Sequence, residues 1–131
     1  MIVLDTCVII WDALEPQKLS RAAKAAIKNA NNKDGILFCE ISLWEIAMLM
    51  SKGRLDPGTS YQKFIEILLN ANQYHLVGID PEIAELSVHL SPEINSDPSD
   101  RMIAATAIAK KIPLVTADKN LRFSGAVNTI W

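Results

Sequence analysis

The sequence has few of the side chains that hold soft metals or form disulfides: two cysteines, Cys7 and Cys39, and two histidines, His75 and His89. Two cysteines are too few for a disulfide framework, and neither belongs to a Cys-x-x-Cys motif, so we expect both to be buried free thiols. The histidines lie far from any further ligand at zinc-site spacing. The composition therefore excludes a disulfide scaffold and argues against a zinc domain.

Long apolar segments are also missing. No run approaches the roughly 20 residues of a membrane-spanning helix, and no basic segment followed by an apolar one, as in a secretory signal peptide, opens the chain. Half of the residues are hydrophobic, which excludes a disordered chain. A chain of 131 residues is long enough for one domain with a real core. We therefore expect a single cytoplasmic domain spanning residues 1–131.

The chain has no excess of positive charge. Its net charge of −2 is not typical of a nucleic-acid-binding protein. If four carboxylates are gathered in one metal pocket, however, removing them leaves a net charge of +2 for the rest of the surface. The overall sign therefore does not exclude an RNA substrate.

Short apolar runs alternate with longer amphipathic segments, and we find no internal repeat or linker. This alternation predicts an α/β domain with a parallel sheet of about five strands and helices on both faces. In such sheets, ligands bind outside the carboxyl ends of the strands. The predicted strands are 2–4, 36–39, 75–79, 114–116 and 127–130, and the predicted helices are 7–14, 20–30, 42–52, 61–72, 80–90 and 97–111, with a short turn or helix at 119–125.

The segment from Asp97 to Asp118 carries the strongest signals. Asp97 followed by Pro98 predicts an N-cap and the first residue of a helix. Asp100 then lies in the first turn, in phase with the apolar face of that helix. Asp118 follows the carboxyl end of the predicted strand that begins at Leu114. A helix start and a strand end therefore bring two carboxylates to the same rim of the sheet.

Two further acids are predicted at this rim. Asp5 follows the first strand, where, as for Asp118, nothing in a strand requires an acid. Glu45 lies in the first turn of the predicted helix 42–52, where the helix dipole favours negative charge. Ser42 and Glu45 also match a capping box, and on that motif alone the structural role is as well supported as the functional one. Glu45 is nevertheless the only charged residue between Glu40 and Lys52.

Four crowded carboxylates raise one another's pKa unless a cation is present. Oxygen ligands without His or Cys favour Mg²⁺, with Mn²⁺ as a substitute. Such a site suits phosphodiester hydrolysis, because the ion lowers the pKa of a water and neutralises charge on the phosphate. We predict Asp5 and Asp100 as direct ligands, with Glu45 and Asp118 completing the pocket directly or through water.

Three polar residues beside the acids have two interpretations each. Thr6 and Thr116 supply hydroxyls that can orient a water, but threonine is also a common strand residue. Asp97 is best explained as an N-cap, with a supporting or metal-binding role as the alternative.

Four motifs together resemble the PIN-domain family. They are Leu-Asp-Thr at 4–6, Ser-Leu-Trp-Glu-Ile at 42–46, Asp-Pro-Ser-Asp-Arg-Met-Ile-Ala-Ala-Thr-Ala at 97–107 and Leu-Val-Thr-Ala-Asp at 114–118. Their order and spacing, and the chain length, are similar to those of VapC-type toxins of prokaryotic toxin–antitoxin pairs. The resemblance covers essentially the whole chain, and the segment 97–107 is its most specific part.

The resemblance implies a Mg²⁺-dependent endoribonuclease whose acidic quartet is Asp5, Glu45, Asp100 and Asp118. It also implies a homodimer and a cognate antitoxin that covers the active-site groove. Cys7 departs from the pattern, because many relatives carry Asn or Ser there, and this leaves one supporting hydrogen bond in doubt.

Candidate RNA contacts are weaker predictions. Arg101, Lys119 and Arg122 lie nearest the acids in sequence and can bind phosphates, with Lys52 and Arg54 as a second pair, although surface cations are usually only solvated. Trp11 and Trp44 fit an antitoxin groove or a dimer contact, or a partly buried core position equally well.

Two other functions fit the same residues. The first is a catalytically inactive PIN-like module that binds RNA or a protein, and a nuclease assay with and without EDTA distinguishes it from the enzyme. The second is a phosphatase with Asp5 as a covalent nucleophile, similar to haloacid-dehalogenase-like enzymes. Those enzymes carry a second Asp two residues later, where this chain has Cys7.

Overall fold

The computed structural model describes all of residues 1–131 and contains five strands and seven α-helices. The strands are two to four residues long, and those at the centre of the sheet, Ile2–Leu4, Ile36–Cys39 and Leu114–Val115, are wholly apolar. The elements are β1 (Ile2–Leu4), α1 (Thr6–Leu14), α2 (Arg21–Asn31), β2 (Ile36–Cys39), α3 (Ile41–Ser51), α4 (Tyr61–Ala71), β3 (Tyr74–Val77), α5 (Pro81–His89), α6 (Pro98–Lys110), β4 (Leu114–Val115), α7 (Lys119–Phe123) and β5 (Thr129–Ile130), with one 3₁₀ turn at Pro16–Lys18.

All five strands are parallel, in the order β3-β2-β1-β4-β5. The strand β1 is central: Val3 pairs with Leu37 of β2 on one side and with Leu114 of β4 on the other. Because the strands are parallel, their carboxyl ends share one edge of the sheet. Asp5, directly after β1, therefore lies at the middle of that edge.

Helices cover both faces of the sheet. Ile2 and Leu4 of β1 face a core formed mainly with α1, α2, α3 and α4, whereas Val3 between them faces a second core formed mainly with α5, α6 and α7. Burying each such aliphatic side chain contributes about 1.5–3 kcal/mol to the free energy of folding. The predicted fold class, one α/β domain with a five-stranded parallel sheet, is confirmed.

Three strands differ from their predicted bounds, and one of them is β4, which ends at Val115 and not at residue 116. β3 ends at Val77 and not at residue 79, because its partner β2 ends at Cys39, where the chain turns into α3 and offers no further backbone groups for pairing. β5 is shortened to Thr129–Ile130 for the same reason, since β4 has only two residues. None of the helices, of which α6 with 13 residues is the longest, is long and apolar enough to cross a membrane.

Candidate active site

Asp5 is buried at the end of the central strand. Its Oδ1 accepts a hydrogen bond from the backbone N–H of Thr6 at 2.8 Å, which makes Asp5 the N-cap of α1, and its Oδ2 accepts one from the Thr116 hydroxyl at 2.8 Å. Burial raises the pKa of Asp5 to about 6; the two hydrogen bonds oppose this shift, and the charges of Glu45 and Asp118 add to it. Asp5 is thus a carboxylate held in one orientation, with a pKa well above its ordinary value.

The two threonines hold the acids in place. Thr6 Oγ1 lies 2.8 Å from Ser42 Oγ, so it links the start of α1 to the start of α3. Thr116 donates to Asp5, and its Oγ1 accepts the backbone N–H of Asp118 at 3.1 Å. Thr116 therefore joins the ends of β1 and β4 through two of the predicted site residues.

Glu45 lies in the second turn of α3, and the prediction that it lies in the first turn is wrong. The helix begins at Ile41, one residue earlier than predicted, so Ser42 is already helical and forms no capping box. Glu45 Oε1 is buried and has no hydrogen-bond partner. A buried carboxylate oxygen without a partner is unfavourable and is typical of a missing ligand or ion.

The start of α6 supplies two more carboxylates. Asp97 is the N-cap, as predicted: its Oδ1 accepts hydrogen bonds from the backbone N–H and the hydroxyl of Ser99, both at 2.9 Å. Asp100 is half-buried, and burial raises its pKa to about 7, with further upward contributions from Asp5, Asp97 and Glu45. Both carboxylates therefore lie close to other negative charge.

Carboxylate oxygens of Glu45, Asp97 and Asp100 all lie within 4.8 Å of one another. The N-cap role of Asp97 is confirmed, because its Oδ1 caps the helix, and its metal-binding role stays a prediction. The three acids come from α3 and from the N-cap and first turn of α6. They form the tightest acidic cluster of the site.

Asp118 caps a helix as well as following a strand. Its Oδ1 accepts from the backbone N–H groups of Asn120 and Leu121 at 2.8 and 3.2 Å, and its Oδ2 accepts from Asn95 Nδ2 at 2.7 Å. The expectation that Asp5 and Asp118 lack a structural role was therefore wrong. Both are N-caps of helices that begin directly after a strand.

One cavity of about 250 Å³ brings together three of the four predicted acids, whereas Glu45 is not among its lining residues and joins the site through its cluster with Asp97 and Asp100. It is lined by Asp5, Cys7, Trp11, Asp100, Ala117 and Asp118. The chain's four ion pairs lie elsewhere, so no lysine or arginine neutralises any of these acids or the Glu45–Asp97–Asp100 cluster. Glu45 has a buried oxygen without a hydrogen-bond partner, and no cation neutralises the neighbouring carboxylates. Such a set of oxygen ligands fits a hard divalent cation.

The two cysteines differ in exposure. Cys39 is buried, as predicted, but Cys7 is exposed and lines the acidic cavity. The surrounding protein and the nearby carboxylates raise the pKa of Cys7 to about 12, so it stays a neutral thiol. Trp11 is half-buried against Trp131, with ring centroids 6.0 Å apart, whereas Trp44 is 59% exposed.

Arg101 is used for structure, which counts against its predicted role as a phosphate contact. Its guanidinium donates to the backbone carbonyls of Ser87 at 2.9 Å, Ser91 at 3.1 Å and Asn95 at 2.9 Å, and also to that of Leu90. These bonds fasten the loop between α5 and α6 to the helix that carries Asp100.

The other cations stay predictions as RNA contacts. Lys119 is exposed directly after Asp118, and the Arg122 guanidinium lies 5.6 Å from the centre of the Phe123 ring. Lys52 and Arg54 are exposed after α3.

Replacing Arg101 with alanine is expected to lower the free energy of unfolding by about 2–4 kcal/mol, because three half-buried carbonyls and the exposed one of Ser91 lose a charged donor. Chemical denaturation measures the change, and Arg122→Ala is the control because Arg122 donates to no carbonyl. Unchanged stability of Arg101→Ala together with weaker RNA binding would instead favour the phosphate role.

Replacing Glu45 with glutamine is expected to stabilise the metal-free protein and to weaken Mg²⁺ binding about tenfold or more, since the substitution removes a charge that lacks a partner and one ion ligand. Urea unfolding and titration calorimetry measure the two effects. Glu85→Gln, on the exposed side of α5, is the matched control. Equal Mg²⁺ affinity in Glu45→Gln and the wild type would exclude Glu45 as a ligand.

Sequence reasoning missed Asn95. Its side chain donates to both Asp100 and Asp118, although it lies in a loop that carries no motif. The one signal available was its position two residues before Asp97.

Comparison with known proteins agrees with the motifs. Residues 2–124 match the family model of the PIN domain. The chain is 37% identical over 121 residues to ribonuclease VapC22 of Mycobacterium tuberculosis (strain ATCC 25618 / H37Rv), a match that covers 92% of this chain and 89% of that protein.

Solved structures share the fold. VapBC2 from Rickettsia felis, bound to a DNA fragment from its promoter, gives a TM-score of 0.73 at 18% identity and covers 98% of this chain and 97% of that chain. A toxin–antitoxin complex from Klebsiella pneumoniae gives a TM-score of 0.64 at 21% identity, with coverage of 97% and 95%. Because the family model spans almost the whole chain and the curated relative matches over nearly its full length, the chain belongs to the PIN-domain family.

Proposed function

We propose that this protein is a Mg²⁺-dependent endoribonuclease and the toxin of a VapBC-type toxin–antitoxin pair. The observation that carries the proposal is the buried, unpartnered Glu45 Oε1 in a cluster with Asp97 and Asp100. The similarity to a protein named ribonuclease VapC22 supports RNA as the substrate.

The surroundings of each acid indicate which role it has in the proposed reaction. Glu45, Asp97 and Asp100 would hold Mg²⁺ or Mn²⁺ directly, because their oxygens converge and those of Glu45 and Asp97 are not all used. When bound, the ion supplies charge neutralisation on the scissile phosphate and a lowered pKa for the attacking water. Asp118, with both oxygens hydrogen-bonded, acts through water.

Asp5 is suited to accept a proton. Asp5 was predicted as a direct ligand, but both of its oxygens already accept hydrogen bonds, and it lines the same cavity as Asp100, so we assign it the proton of the attacking water. The Thr116 hydroxyl and the Thr6 amide hold the carboxylate in one orientation while it does so. Asp5 is thereby the residue whose loss leaves the fold intact and removes activity.

The partners follow from the relatives. A structure described as a toxin–antitoxin complex shares the fold, which supports a cognate antitoxin for this chain. We propose that the antitoxin covers the groove that contains the acidic cavity, with exposed Trp44 on α3 as a contact. A homodimer and a cytoplasmic location complete the proposal and rest on the family resemblance and on the sequence.

A nuclease assay tests the proposed activity. We expect the purified protein to cleave mixed-sequence RNA oligonucleotides with Mg²⁺, not to cleave them with EDTA, and to lose cleavage in Asp5→Ala. That variant is expected to fold, because loss of the N-cap costs about 1 kcal/mol and is offset by removal of a buried charge; circular dichroism checks this. Mg²⁺-dependent cleavage by Asp5→Ala would refute the assignment of Asp5.

The same assay separates the alternatives. RNA binding without cleavage at any Mg²⁺ concentration would favour the inactive module. Hydrolysis of a phosphomonoester with RNA left intact would favour the phosphatase.

A genetic test addresses the toxin role. Expression is expected to arrest growth, Asp5→Ala is expected to relieve the arrest, and a neighbouring reading frame is expected to encode a small protein with a basic, DNA-binding start. Normal growth under expression of the wild type would contradict the toxin assignment.

A further inference from the structure

Asn95, in the loop between α5 and α6, lies between two of the acids. Its Nδ2 donates to Oδ2 of Asp118 at 2.7 Å and to Oδ2 of Asp100 at 3.2 Å, and its Oδ1 accepts from Asn120 Nδ2 at 3.0 Å. A carboxylate can only accept, so the amide must turn its NH₂ end toward the acids. Both amide hydrogens and the carbonyl oxygen are therefore in use.

The backbone of Asn95 is held as firmly as its side chain. The Arg101 guanidinium donates to the Asn95 carbonyl at 2.9 Å and to those of Ser91 and Ser87 in the preceding loop and helix. Arg101 follows Asp100 in α6, so the loop is anchored to the helix that carries one acid. Asn120 belongs to α7, which Asp118 caps.

We propose that Asn95 is a positioning residue that fixes Asp100 and Asp118 relative to each other. The two acids belong to separate elements, α6 and the turn before α7, and their charges repel. Asn95 is the side chain that bonds to both. The expected effect of Asn95 on Mg²⁺ binding and RNA cleavage rests on the proposed function. The hydrogen bonds of Asn95 to Asp100 and Asp118 do not depend on it.

The chemistry of an amide suits this role. A lysine or arginine in the same place would neutralise the carboxylates and compete with a cation. The neutral NH₂ group of Asn95 supplies two donors and leaves the full negative charge of both acids for the ion. Residues around a metal site commonly orient its ligands in this way.

A double-mutant cycle in metal-free buffer tests the contact. Asn95→Leu keeps the approximate shape but has no donor, and Asp118→Asn removes one acceptor. We expect the two changes to be coupled by about tenfold in the urea-unfolding equilibrium constant, as for a hydrogen bond to a charged group. Asn95→Leu with the distant Asp56→Asn should be additive. Additivity of Asn95→Leu with Asp118→Asn would overturn the proposal.

Metal binding and kinetics test the positioning. In Asn95→Leu we expect Mg²⁺ affinity by calorimetry to fall about tenfold or more and kcat to fall comparably, with KM for RNA unchanged. Asn95→Ser, which keeps one donor and perturbs the loop less, should give a smaller loss in the same direction. Unchanged or tighter Mg²⁺ binding in both variants would show that the amide merely fills the site, and would overturn the proposal.

Failure of the two proposals would look different. A wild-type protein that binds no Mg²⁺ and cuts no RNA would refute the proposed function, and the metal-free cycle would still decide whether Asn95 fixes the two acids. An active wild type with a fully active Asn95→Leu would refute the inference about Asn95 alone.

Discussion

Replacement of Asp100 with asparagine is expected to lower RNA cleavage by roughly a hundredfold to a thousandfold, the usual effect of removing one group that stabilises charge in the transition state. Asp100 borders both the cavity shared with Asp5 and Asp118 and the cluster with Glu45 and Asp97. No other acid of the site touches both. Single-turnover cleavage of an RNA oligonucleotide at saturating Mg²⁺ measures the loss.

The same substitution is expected to stabilise the metal-free protein at pH 8. Burial and four neighbouring acids disfavour the ionised form of Asp100, as its pKa of about 7 shows. Removing that charge should add on the order of 1–2 kcal/mol to the free energy of unfolding, after allowance for the partial exposure of the side chain. An activity loss with a stability gain separates a functional acid from a structural one.

Asp56→Asn is the matched control for Asp100→Asn. Asp56 is exposed and accepts a hydrogen bond from the backbone N–H of Gly58, which an asparagine can also accept. Its activity and stability should equal those of the wild type. Full activity of Asp100→Asn, or a loss of stability equal to its loss of activity, would contradict the assignment.

Without metal, the free energy of unfolding is expected to fall as the pH rises from about 4 to about 7. The pKa values of Asp5 and Asp100 are raised from 3.8 to about 6 and about 7 in the folded state. At pH values between the ordinary and the raised pKa, the native protein therefore binds more protons than the unfolded chain. This contribution to stability is fully present below pH 3.8 and is lost as the pH rises through about 6 and about 7. For buried Asp5 alone the loss is about 3 kcal/mol.

Mg²⁺ is expected to reverse this loss. At pH 8 the acids are ionised and bind the cation, so a Mg²⁺ concentration about 100 times the Kd should restore about 2.7 kcal/mol. At pH 4 the protonated acids bind little metal, and Mg²⁺ should have no effect. Thermal unfolding from pH 4 to 8, with Mg²⁺ or with EDTA, measures both. Stability that rises with pH in EDTA would show that the acids are not crowded as described.

The fold and most of the site could be predicted because their signals are local. The continuous apolar run at Ile2–Leu4 is typical of a strand buried on both faces, and Asp97-Pro98 before a helix-forming segment is a helix-start signal, whereas the same dipeptide at Asp56-Pro57 lies in a loop. Parallel topology then places Asp5 and Asp118 on one edge of the sheet. Local patterning and the parallel sheet alone account for that part of the acidic site.

Other predictions were wrong because a side chain that matches a local motif bonds instead to a residue far away in the sequence. Ser42 and Glu45 match a capping box, but Ser42 bonds to Thr6, 36 residues away in sequence, and Glu45 points into the site without a partner. Arg101 looked like a free cation beside the acids. The carbonyls at the end of α5 occupy its donors, and no sequence pattern marks a carbonyl as an acceptor.

The sequence by itself determined the class of the fold and which acidic residues are candidates for the site. It could do so because strand and helix periodicity and capping depend on neighbours along the chain. The tertiary structure alone decided how the acids are held. The bond from Thr116 to Asp5 spans 111 positions, and Asn95 joins acids from two elements. Such contacts depend on distances of a few ångströms between elements, which packing sets only after the chain has folded.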